Sequence, residues 1–199
     1  MQRANQTQMI RRLVVSGMLV AVMGVLMMTR LGFIEIKPIQ VTLYCLPVII
    51  GVMTEGLGVG LLLGLAFGSL SFIQALGSAE PIAVFFRNPL ISVIPRIFIS
   101  MPVWLIVKVF HKAIEKNKKK GAVIRCAAAI AGSLTNTVLT LGAIYIACLL
   151  GVTATGLSRE TAGVVLIGVA STNGLLEAAL VALVAPPVMA ALDRTVYKN

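Results

Sequence analysis

The chain has 199 residues, 58% of them hydrophobic and 12% charged, with a mean hydropathy of +0.99. Soluble domains are about half apolar and a quarter charged, so this composition excludes a soluble globular protein and predicts a polytopic membrane protein. The formal charge of +10 does not indicate nucleic-acid binding, because twelve of the seventeen basic residues fall in three places. Arg3, Arg11 and Arg12 stand near the N-terminus, Arg194 and Lys198 near the C-terminus, and seven more in KVFHKAIEKNKKKGAVIR (108–125). That is the pattern of the positive-inside rule, with contact to anionic headgroups as a secondary role.

In chain order, apolar runs predict six transmembrane helices. The first, about 10–29, contains LVVSGMLVAVMGVLMM, which no small-residue cleavage site follows, so it reads as a retained helix and not a signal peptide. Its Gly17 and Ala21, with Ser16 and Gly24 nearby, form a small-residue face. Such a face serves either packing within the chain or docking of a second membrane protein. A loop follows at 30–40, where Pro38 breaks any helix. The second helix, about 41–54, is short, contains Pro47 and ends at Glu55. The third, about 57–77, is preceded and lined by Gly56, Gly60, Gly64 and Gly68 at every fourth position, a packing stripe; a dinucleotide fingerprint would need a preceding strand and other spacing. Beyond a loop at 77–87 come a fourth helix at about 89–111 and a basic loop at 111–121. The fifth helix runs over about 121–150, and after GVTATGLSRET (151–161) the sixth over about 162–191. No internal repeat divides the chain, so residues 1–199 form one all-α domain. An even helix count puts both termini and the basic loop on the cytoplasmic side.

Ionisable groups inside a membrane are costly and mark functional sites. Arg96 stands in RNPLISVIPRIF (87–98) directly after Pro95, roughly 11 Å into the fourth helix. Asn136 lies in SLTNTVL (133–139); Asn173 and Glu177 share a face of the sixth helix at i and i+4. Gln74 and Tyr44 lie near the outer ends of the third and second helices, and Asn88 near the outer mouth beside Arg87. Two readings compete. Arg96 and Glu177 pair to pin two helices, or these residues line a polar cavity in which Arg96 holds a ligand carboxylate through its rigid donor fork.

Catalytic signatures are missing. The single histidine, His111, lies in the basic loop, and no paired acidic motif, Ser/His arrangement or Walker A sequence occurs. The three cysteines, Cys45, Cys126 and Cys148, have no metal-ligand spacing and read as buried apolar thiols. These absences argue against an enzyme: no catalytic residues, metal or cofactor are expected, the chain cannot itself supply ATP hydrolysis, and a polar cavity on a substrate path is the leading reading. The rival classes are a small intramembrane lipid-modifying enzyme using Arg96 and Glu177, and a membrane scaffold using the glycine faces.

Gly17-x-x-x-Ala21, NPLISVIPRIFIS (88–100), GSLTNTVLTLGAIY (132–145) and STNGLLEAALVALVAPPV (171–188), with the length and six helices, carry a resemblance over essentially the whole chain. The sequence resembles the substrate-binding S-components of energy-coupling factor (ECF) vitamin transporters. This resemblance implies a plasma-membrane bundle that captures a vitamin from outside. It also implies association with a membrane T-component and two ATP-binding cassette ATPases, the T-component meeting the Gly17/Ala21 motif. IQVTLYCLPVIIGVM (39–53) adds similarity to pantothenate-type members, for which Arg96, Asn88, Asn136 and Asn173 would be ligand partners. Cobalamin-, queuosine-precursor- and riboflavin-type members are the alternatives; a lone tryptophan, Trp104, gives no aromatic argument for a flat ring.

Overall fold

The computed structural model describes residues 2–29, 33–36, 39–80, 82–152 and 160–196. Pro38, the middle of the 151–161 loop, and the side chains of Arg3, Arg194 and Lys198 lie outside them. Helix α1 (Gln2–Met28) leads into a two-stranded antiparallel hairpin, β1 (Phe33–Ile36) and β2 (Ile39–Thr42), registered Phe33 to Thr42 through Ile36 to Ile39. The expected loop at 30–40 therefore holds a hairpin, and β2 takes the first residues assigned to the second helix.

Helix α2 (Leu46–Glu55) starts late because Pro47 belongs in its first turn, where a missing N–H is no loss. At ten residues it rises about 15 Å, half a hydrocarbon core. Gly56, at φ +87°, turns the chain into α3 (Leu57–Gly77), a conformation other residues adopt only under strain. A short α4 (Ala83–Phe86) then precedes α5 (Pro89–Phe98) and α6 (Ser100–Val109). These two form one apolar span, Pro89–Val109. The irregularity at Ile99 follows from Pro102, which has no N–H to offer the Phe98 carbonyl.

The basic segment forms helix α7 (His111–Lys116), not a loop, and packs on α8 (Lys118–Leu149). Asn117 caps α8 by accepting hydrogen bonds from the Lys119 and Lys120 amides at 3.0 and 3.3 Å. The last span is α9 (Ala162–Val169), a π-turn at Ala170–Gly174, and α10 (Leu175–Val196). Ser171 and Thr172 hydroxyls both donate to the Gly168 carbonyl, at 3.0 and 2.8 Å, competing with the regular ladder at that turn.

Among the described residues, five helical stretches are long and apolar enough to cross a membrane: Met9–Met28, Leu57–Gly77, Pro89–Val109, Lys118–Leu149 and Ala162–Leu192. Their outer faces are apolar, as lipid requires. The closest packing joins α3 to α5. A Cβ on Gly64 would stand 2.6 Å from the Arg96 carbonyl oxygen, and one on Gly68 2.5 Å from Val93 Cα. The glycine stripe thus packs helix on helix, while Gly56 makes the turn. The larger core cluster gathers Met23, Val48, Ile49, Leu63, Ile99, Val103 and Val181, among others. A smaller one gathers Phe85, Ile91, Ile144, Cys148 and Leu166.

Candidate functional site

Where the two clusters fail to close on each other, a cavity of about 840 Å³ remains. Its walls come from the C-terminal end of α1, from Tyr44 just ahead of α2, from α3, α4, α5 and α8, and from the middle of the α9–α10 span around the π-turn. That volume suits a single small molecule.

Pro95 and Arg96 act as a unit here. Proline at 95 has no N–H for the Ile91 carbonyl four residues earlier, which leaves an acceptor open in an apolar setting. The Arg96 side chain fills the gap: Nη1 donates to the Ile91 oxygen at 2.9 Å. Held this way, the guanidinium lies between two aromatic rings, 4.9 Å from the Phe86 centroid and 5.6 Å from that of Phe67. Only 7% of the residue is exposed, and Nε is buried without a hydrogen-bond partner. A buried cation with donors to spare, facing a cavity, is suited to an anion.

Of the residues singled out in the sequence, Arg96, Asn136, Asn173, Glu177, Gln74 and Tyr44 all line this cavity. The Asn136 amide oxygen accepts from Thr140 Oγ1 at 3.5 Å, and the Asn173 side-chain amide lies 3.4 Å from Thr172 Oγ1, whose proton goes to the Gly168 carbonyl. Gln74 Nε2 donates to the Met27 carbonyl at 3.4 Å and ties α3 to α1. Tyr44 sits edge-on to Phe67, with ring centroids 6.5 Å apart. Glu177 is 9% exposed, and its Oε1 accepts from the Cys45 thiol at 3.2 Å. Cys45 is therefore a buried donor and not merely an apolar filler. Glu177 and Arg96 both line the cavity, while the guanidinium's hydrogen bond runs to its own helix.

Asn88 is not among the lining residues. Its side chain accepts from the Leu90 amide at 3.0 Å and caps α5 ahead of Pro89. Arg87 lies beside it, bonding the carbonyls of Ala75 and Ser78 at the end of α3, at 3.2 and 3.1 Å. Gly17 and Ala21 are exposed, and a Cβ on Gly17 would meet nothing within 4 Å. These two residues do not serve packing inside the chain.

Sequence reasoning passed over Phe67, Ser71, Phe86, Thr137 and Thr140, which also line the cavity. The signal existed as spacing. Phe67, Ser71 and Gln74 fall on one face of α3, and Asn136, Thr140 and Ile144 on one face of α8. A second polar contact, away from the cavity, joins buried Glu55 to Arg11 at 3.2 Å and to Arg12 at 3.8 Å. It holds the N-terminal half of α1 against the end of α2. No group of three metal-ligating side chains occurs among the described residues.

Comparison with known proteins supplies the frame for this geometry. Residues 11–189 match the family model described as "ECF transporter, substrate-specific component". The chain is also 33% identical over 123 residues to the pantothenic acid transporter PanT of Lactococcus lactis subsp. cremoris (strain MG1363). That match covers 55% of this chain and 58% of the relative. A multi-pass helical protein with a small-molecule cavity, matched along almost its whole length, belongs to the substrate-specific components of ECF transporters.

Proposed function

We propose that this chain is the pantothenate-binding subunit of an ECF-type importer in the plasma membrane. The observation that carries the reading is Arg96, a buried guanidinium held by the Ile91 carbonyl, with Nε unpartnered beside the cavity. Pantothenate presents a carboxylate, an amide and two hydroxyls. Arg96 takes the carboxylate; Asn136, Asn173, Thr137, Thr140, Gln74 and Tyr44 offer neutral donors and acceptors to the rest. The partial match to a pantothenic acid transporter points the same way.

The proposed topology has six spans with both termini cytoplasmic, α2 and the preceding hairpin together making the short second one. Lys108, at the end of α6, is twelve residues beyond Arg96, about 18 Å along the helix. The cavity therefore sits at the end of this span away from the basic helix α7, as an outward-facing site would with α7 inside. Transport then requires a T-component, docked on the open face around Gly17 and Ala21, and two ATPase subunits.

The test is equilibrium binding of radiolabelled pantothenate to the purified chain in detergent. Saturable one-to-one binding is expected. A folded protein that binds another vitamin and not pantothenate would overturn the substrate assignment.

A further inference from the structure

The cavity contains a carboxylate that recognition of an organic acid does not require. Among the described lining residues Arg96 is the only cation, whereas Glu177 lies deep in the wall and Glu80 on the segment before α4. Cys45, fully buried behind Glu177, donates to Oε1.

Resting on the pantothenate reading, we propose that Glu177 fixes the charge of the ligand that the site accepts. A monoanion with hydroxyl or amide donors at its other end is taken, and the phosphate monoester of the same molecule is refused. One negative charge finds Arg96. The added phosphate carries about −1.5 to −2 near neutral pH and has no second cation among the lining residues. It would instead share a partly enclosed cavity with Glu177, where charges are less screened than in bulk water and an unpaired one is disfavoured. A hydroxyl in the same place donates to a carboxylate or amide oxygen. The cavity is large enough that size alone does not exclude a phosphate.

A purely structural Glu177, pinning α10 to α2 through Cys45, gives a different expectation. Glu177→Gln keeps the shape and an acceptor oxygen for Cys45 but removes the charge. The ratio of Kd for pantothenate and for its phosphate monoester, measured on the full chain in detergent by isothermal titration, distinguishes the two. Wild type should favour pantothenate by at least about 100-fold, and E177Q should narrow that ratio at least about tenfold. An unchanged ratio in E177Q overturns the proposal.

A second measurement needs no variant. The monoester's second phosphate proton leaves near pH 6, so wild-type refusal should deepen between about pH 5.5 and 7.5; a flat ratio overturns the proposal. The titratable groups around the cavity are Arg96, Glu80, Tyr44 and Glu177, with Cys45 behind, and pantothenate measured in parallel reports any change in them. Equal binding of both ligands by wild type overturns the charge proposal and leaves the transport reading standing. A wild type that binds neither ligand overturns both.

Discussion

Arg96 explains why a proline precedes an arginine inside an apolar run. Pro95 leaves the Ile91 carbonyl open, and the guanidinium that closes it is thereby aimed and held. Two expectations follow at this scale. Arg96→Ala should weaken pantothenate binding by about 2–5 kcal/mol, the usual loss when one partner of a buried charged contact is truncated. Calorimetry would show it, with thermal unfolding confirming the fold. Pro95→Ala should act in the opposite sense on stability and in the same sense on affinity. The new amide satisfies Ile91, so the melting temperature holds or rises, while the released guanidinium loses its fixed place and affinity falls about tenfold. An unchanged affinity in that variant would show that proline has no part in aiming the arginine. Asn88 teaches the converse lesson: an Asn-Pro pair opening a helix is a capping signal before it is anything else.

At the level of elements, the α3–α5 contact sets where Arg96 stands. Gly64 abuts the Arg96 backbone, so Gly64→Ala must part the two helices or strain them, at a cost of about 1–3 kcal/mol and with weakened ligand binding. Gly58→Ala, on the same helix where a Cβ would meet nothing within 4 Å, is the control and should be neutral or mildly stabilising in thermal unfolding. The long helices and this stripe were legible because apolar runs and fourfold glycine spacing are strong patterns. Helix α7 was not, since HKAIEK ahead of a run of lysines resembles a solvated loop until it packs on α8, with Ile114 against Gly121. Four-residue strands are too short to show a period, and β2 also absorbed residues that had looked like helix. The π-turn departs from the 3.6-residue repeat on which helix patterns depend. Most of the polar lining could be read because amides and charges stand out in a greasy chain. Phe67 and Phe86 could not, since an aromatic that stacks on a cation is spelled like one that fills a core.

For the whole molecule, the proposed binding and docking sites lie on different surfaces. The α1 face around Gly17 is exposed, whereas the cavity meets α1 only at Met27. Gly17→Trp should therefore leave pantothenate affinity within about twofold and abolish uptake in vesicles that contain the T-component and ATPases; unimpaired uptake would remove this face from the interface. Such separation lets one surface serve any ligand while the cavity chooses it. The lock between Arg96 and Ile91 also bears on time. Were the guanidinium to swing away, a main-chain oxygen would be stranded in an apolar helix, so this donor keeps one orientation whether the cavity is full or empty. Binding then needs no slow rearrangement of this proposed anchor, and stopped-flow traces should show one phase whose rate rises linearly with pantothenate concentration. A plateau in that rate would mean that another part of the chain, not the arginine, decides when the vitamin is held.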